Sequence, residues 1–210
     1  MKSFRRVRQK TGSYCGPAVF EMLLSSLGLK LDQEQMVDAC GARSSVMKTG
    51  ISLVELSLGL KKLYPNLVVW QKTDAKVSEM AALMAQGYWV GVDWQGIFAG
   101  DEYWDDEEDK WEEFWNKLYK LPSLKGSQGH YCVVLELDLK RGWLRYADPY
   151  GHYAGKDRLV AIWEFEERWW DDRLDRDTQG RKKYVFEDRL MFIVAKKGDQ
   201  FPEKLGMVKV

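Results

Sequence analysis

Cys15 is the residue of this chain best placed to do covalent chemistry. It precedes Gly16-Pro17-Ala18 and an apolar run in which Val19, Met22, Leu23 and Leu27 share one helical face, widened by Phe20 and Leu24. Pro17 is tolerated only in a first helical turn, where its missing N–H has no helical partner. The spacing therefore predicts Cys15 at the N-terminus of a buried helix that Gly28 ends. Partial positive charge and free N–H groups there favour a thiolate. A thiol nucleophile needs a base, and the base needs an orienting group. The chain has 2 histidines: His130 opens the strand-like HYCVVLELDL, and His152 lies in the turn-rich DPYGHY. A hairpin through residues 140–142 would fold WLRYAD back along the first of these segments and bring Asp148 to His130. Asp138 shares the face of His130, but eight residues of strand separate them by roughly 26 Å. Gln9, six residues before Cys15, has a side-chain amide suited to an oxyanion hole shared with the Cys15 N–H.

Each of these residues also has a plainer reading. Cys40 and Cys132 read as small buried hydrophobes. His130 would equally serve as a hydrogen-bonded structural residue, Asp148 as the start of an Asp-Pro turn, and Gln9 as a surface amide. Cys15, His130 and Cys132 are soft metal ligands, but no C-x-x-C pair accompanies them, so the expectation is no metal and no cofactor.

The elements that would hold these groups are legible as periodicities. Helices are expected over 32–40, where Asp32 and Gln35 have capping-box spacing, over 52–64 and 77–86, and as a short piece over 161–170. Strands are expected over 67–71, 88–94, 130–139, 143–148 and 189–196. Helices first and an antiparallel sheet second indicate an α+β fold in a single domain spanning 1–210. Two segments interrupt it. Residues 96–128 are acidic, with Trp111, Phe114, Trp115 and Leu118 on one helical stripe fit to dock on the domain or a partner. Residues 171–183 are almost wholly charged and read as a solvated loop. Tryptophans 89, 94, 143, 163, 169 and 170 fall within predicted elements and are expected in the core.

Composition narrows the function classes. Lys+Arg and Asp+Glu both number 32, a net charge of zero that argues against nucleic acid or an anionic membrane as partner. Three cysteines do not make a disulfide scaffold. The basic start lacks an apolar core segment and no run of about 18 apolar residues occurs, so a cytoplasmic protein is expected.

Gln9, then Cys15-Gly16-Pro17-Ala18, then Gly129-His130-Tyr131, then Asp148-Pro149-Tyr150-Gly151, together resemble the C39 and C39-like cysteine peptidases of the papain-like superfamily. The resemblance implies a papain-like fold, with N-terminal helices and a central helix packed on an antiparallel sheet. It also implies roles: Cys15 as nucleophile, His130 as base, Asp148 orienting it, and Gln9 in the oxyanion hole. The segment WEFEERWW is similar to the family's aromatic helix after the aspartate loop. Bacteriocin-processing members often carry an aspartate before the cysteine, where this chain has Tyr14. The leading expectation is hydrolysis of a peptide or related amide bond in a peptide or protein substrate. The alternatives are a transferase or transpeptidase with the same triad, and a catalytically silent peptide-binding module.

Overall fold

The computed structural model describes residues 4–98, 127–176 and 182–210. The aromatic stripe of Trp111, Phe114, Trp115 and Leu118 lies outside them. Helix α1 (Cys15–Ser26) starts at the cysteine and is followed by Gly28 at φ 78°, a left-handed position that glycine takes without strain. Helices α2 (Gln33–Cys40) and α4 (Leu53–Leu63) open with capping boxes, Asp32 with Gln35 and Ser52 with Glu55. A short α3 (Val46–Thr49) lies between them. Then come β1 (Leu67–Lys72), α5 (Val77–Ala85), β2 (Val90–Phe98), β3 (Ser127–Asp138), β4 (Trp143–Ala147), β5 (Asp157–Ala161) and α6 (Ile162–Arg168). The chain ends with β6 (Trp170–Arg176), β7 (Lys182–Asp188), β8 (Met191–Lys196), α7 (Phe201–Lys204) and β9 (Val208–Lys209).

Seven strands form one antiparallel sheet in the order β5-β4-β3-β2-β8-β1-β9. Because strand side chains alternate, β3 feeds two cores. Tyr131 and Val133 join Phe20 and Leu23 of α1, Met36 of α2, Leu56 of α4 and Phe192 of β8. Cys132 and Val134 join Trp94 of β2, Met80 of α5, Tyr146 of β4 and Phe165 of α6 on the other face. The first core is tight where β2 passes β8: a Cβ at Gly91 would overlap the Phe192 ring, so this position needs a glycine.

Two expectations need correction. The segment read as a charged loop is largely a hairpin, with β6 and β7 paired from Trp170↔Asp188 to Arg176↔Lys182. Its charges hid an alternation that includes Trp170, Leu174, Tyr184 and Phe186; the Trp170 and Phe186 rings stack at 5.6 Å. Trp163 is not core: it is 64% exposed on the outer side of α6, whereas Trp94 and Trp169 are buried as expected.

Candidate active site

The start of β3, the end of β4 and the N-terminal end of α1 meet at one end of the sheet. The β3–β4 pairing sets Val133 opposite Ala147, which places Asp148, just past β4, beside the beginning of β3. His130 Nε2 and Asp148 Oδ1 are 2.7 Å apart. Asp148 Oδ1 also accepts from the Tyr150 N–H at 2.8 Å, and its Oδ2 accepts from Arg158 Nη1 at 2.7 Å. Arg158 comes from β5, whose pairing with β4 puts it opposite Tyr146. Its guanidinium covers the Tyr153 ring, 4.0 Å from the centroid, and also donates to the Gly96 carbonyl at 3.2 Å.

This carboxylate is buried yet has a donor on each oxygen, as a buried charge requires. Burial pushes the Asp148 carboxyl up, but His130 and Arg158 outweigh it and hold it below the usual carboxylate range. For His130, burial works against the charged ring, but Asp148 prevails and raises its proton affinity well above the ordinary imidazole value. Both shifts favour imidazolium beside carboxylate over the neutral pair.

Cys132 belongs to this group although the residue pattern alone reads it as filler. It lies two residues after His130 on the same face, and its sulfur accepts from Trp94 Nε1 at 3.4 Å. The ligand atoms of His130, Cys132 and Asp148 lie within 4.8 Å of one another. That trio suits a metal poorly. Burial pushes the Cys132 thiol up to about 11, so it stays protonated, and Arg158 already occupies the carboxylate.

The Cys15 half is built differently. Arg6 forms a two-point ion pair with Asp157 of β5, at 2.5 and 2.9 Å, and the Gln9 N–H donates to the Pro149 carbonyl at 2.9 Å. These contacts stitch the strand-like N-terminal segment to the residue after Asp148. Gln9 is buried; its Nε2 donates to the Thr11 and Gly12 carbonyls, both at 2.8 Å, and so shapes the loop leading into α1. Gln9 Oε1 and Thr11 Oγ1 are buried without a hydrogen-bond partner among the described residues. Helix α1 has no side-chain cap, which leaves the first N–H groups of the helix, that of Cys15 among them, outside the helical ladder.

Cys15 is half-buried and packs against the core on the Tyr131 face of the sheet. A Cβ on neighbouring Gly16 would lie 3.4 Å from the Tyr131 ring. His130 projects from the other face, beside Cys132. No hydrogen bond joins the Cys15 thiol to His130 among the described residues. Asp93, cross-strand from Tyr131, is the acid on the Cys15 side. Burial, with Asp171 and Cys15 close by, pushes its carboxyl well above the usual range. Asp171 is held over Gly129 by Gln95 Nε2 at 2.8 Å. Asp138 binds the Arg141 N–H in the β3–β4 turn, far along the strand from His130. Of the residues outside the sequence expectation, Cys132 was readable from strand alternation; Arg158 and Asp93 were not, since only strand pairing brings them here.

Comparison with known proteins follows the same outline. The model of the Peptidase_C39 like family matches residues 1–173. Among solved structures, the peptidase domain of Streptococcus ComA, a bi-functional ABC transporter involved in a quorum-sensing pathway, superposes with a TM-score of 0.52 at 14% identity, covering 93% of this chain and 100% of that one. A Bacillus anthracis protein described as a C39-like peptidase gives 0.50 at 14% identity, covering 93% and 96%. No curated protein sequence matches the chain.

Proposed function

The chain belongs to the Peptidase_C39 like family, and we propose that it is a cysteine peptidase that cleaves a peptide or related amide bond through Cys15, His130 and Asp148. The observation that carries this reading is the His130–Asp148 pair at 2.7 Å, an imidazole held by a carboxylate as a general base requires; reaching Cys15 asks the ring to turn from Cys132 toward the head of α1. The Cys15 thiolate adds to the scissile carbonyl carbon as the C=O electron pair moves onto oxygen. The Cys15 N–H is the backbone donor available to that oxyanion; a Gln9 N–H joins it by turning away from Thr11 or Gly12. The imidazolium then gives its proton to the leaving amine, leaving a thioester on Cys15. Water, deprotonated by the now neutral ring, attacks the thioester and releases the acid and the thiolate.

A second reading, a silent peptide-binding module, is favoured by two features: the commitment of both Gln9 N–H groups to the loop, and the lack of a hydrogen bond between Cys15 and His130. A mixed peptide library separates the two. Cleavage by the wild type that disappears in Cys15→Ala and after thiol alkylation supports the peptidase. Peptides retained without cleavage support the binding module.

A further inference from the structure

Arg158 is the one cation that touches the His130–Asp148 pair among the described residues, and it does so from a strand that carries no other part of the centre. Asp148 has two oxygens with separate tasks. Oδ1 meets His130 Nε2 and the Tyr150 N–H; Oδ2 meets Arg158 Nη1. The same Nη1 reaches the Gly96 carbonyl, and the guanidinium plane rests on Tyr153, with the Tyr146 and Trp94 rings at 5.5 and 5.9 Å. Five donors in a rigid fork and three aromatic neighbours leave the group little freedom. It fixes the second oxygen, and through it the plane in which the first one meets the imidazole.

We infer that Arg158 is a positioning residue of this centre, acting on His130 through Asp148: it clamps Oδ2 so that Oδ1 stays aligned with Nε2. The inference rests on the peptidase reading for its catalytic meaning, but the clamp itself is a property of the resting protein. Its effect on the ring follows from charge. When His130 loses its proton, Asp148 remains as a buried anion, and Arg158 is the partner that keeps that state tolerable. Without Arg158 the deprotonated state has a bare Oδ2 among aromatic rings, so the pair holds its proton to higher pH. Of the other titratable groups facing His130, Cys132 also raises its proton affinity through a side-chain hydrogen bond, and does so with or without Arg158. Burial pushes the Cys132 thiol up to about 11 and the Tyr146 hydroxyl above its usual range, and it pushes Asp93, across the β2–β3 pair, toward its neutral form.

The test is the titration of the His130 ring by NMR, with His152→Gln used to assign the two imidazoles. Arg158→Met, of similar length and without charge, is expected to raise the His130 midpoint by about one pH unit. Arg158→Lys, which keeps a donor and the charge, is expected to leave it near the wild-type value. In an Asp148→Asn background, Arg158→Met is expected to move the midpoint little, because the route through the carboxylate is gone. An unchanged midpoint in Arg158→Met, or an equal shift in both backgrounds, overturns the inference. If Arg158→Met does not fold, Arg158→Lys decides: a midpoint displaced from wild type by as much as that of Asp148→Asn overturns the clamp. Where peptide cleavage is detected, the alkaline limb of kcat/KM should move with the midpoint. If no peptide is cleaved by the wild type, the titration alone judges Arg158, and only the catalytic reading falls.

Discussion

The two halves of the candidate centre are finished to different degrees. Around Asp148 each oxygen has a donor, and His130, Arg158 and Tyr150 hold one another in place. Around Cys15 the thiol is half-buried, and Gln9 Oε1 and Thr11 Oγ1 are buried without a partner among the described residues. Unsatisfied buried polar atoms are uncommon in folded proteins and mark places where a water or ligand completes the structure. The contrast teaches that the acid–base half is preassembled by strand pairing. The Cys15 half depends on a loop that the Gln9 side chain holds through the Thr11 and Gly12 carbonyls.

The comparison breaks most sharply at its reacting atom. Cys15→Ala should abolish cleavage, by about 10⁴-fold or more, with a melting temperature close to wild type, because little buried volume is lost. Measured cleavage within tenfold of wild type would place the nucleophile elsewhere. Asp148→Asn should come next, lowering turnover by on the order of 10³-fold and stability by on the order of 3 kcal/mol, since it uncouples a buried ion pair; denaturant unfolding reads the second effect. Gln9→Ala should cost about a hundredfold in kcat if one of its N–H groups turns to the oxyanion. A loss confined to stability would assign Gln9 to the loop alone.

Smaller effects sharpen the contrast further. Burial pushes the Cys40 and Cys132 thiols up to about 11, so alkylation at about pH 6 followed by peptide mass mapping should find Cys15 labelled ahead of both. The smallest effect is on stability against pH. The raised His130 value contributes stability that is present below the unfolded value of about 6.5 and lost as pH rises through the folded one. The lowered Asp148 value contributes stability present above about 3.9 and lost as pH falls through the folded one. Melting curves should therefore show a plateau bounded on both sides, flattened in Asp148→Asn. A wild-type curve that loses nothing on the alkaline side would contradict the raised His130 value.

How much of this was legible in the sequence depended on distance along the chain. Cys15 at the head of α1 followed from Pro17 and the apolar spacing, and the approach of Asp148 to His130 followed from the turn at 140–142, a local hairpin. Arg158 was hidden because nothing in the local sequence ties it to Asp148; only the pairing of β5 with β4 brings it there. The β6–β7 hairpin was hidden for a related reason: its charges masked period-two alternation, and only pairing reveals it. The side of the sheet that each residue faces was implicit in alternation, but which face receives α1 is a tertiary choice, settled by Tyr131 and Phe192 packing on Phe20.

The position of β8 in the sheet has a consequence in time. This strand, residues 191–196, lies between β1 and β2 and pairs with both, so neither of those earlier strands has its full set of ladder partners until it arrives. On a ribosome, Cys15 and His130 are made long before the strand that ties their two cores together. Long-range pairings of this kind are slow to form, and they leave strand edges open meanwhile. A nascent chain halted before residue 191 would present Cys15 and His130 without the sheet that sets their spacing. The centre, whatever its chemistry, is completed late in the chain's own synthesis.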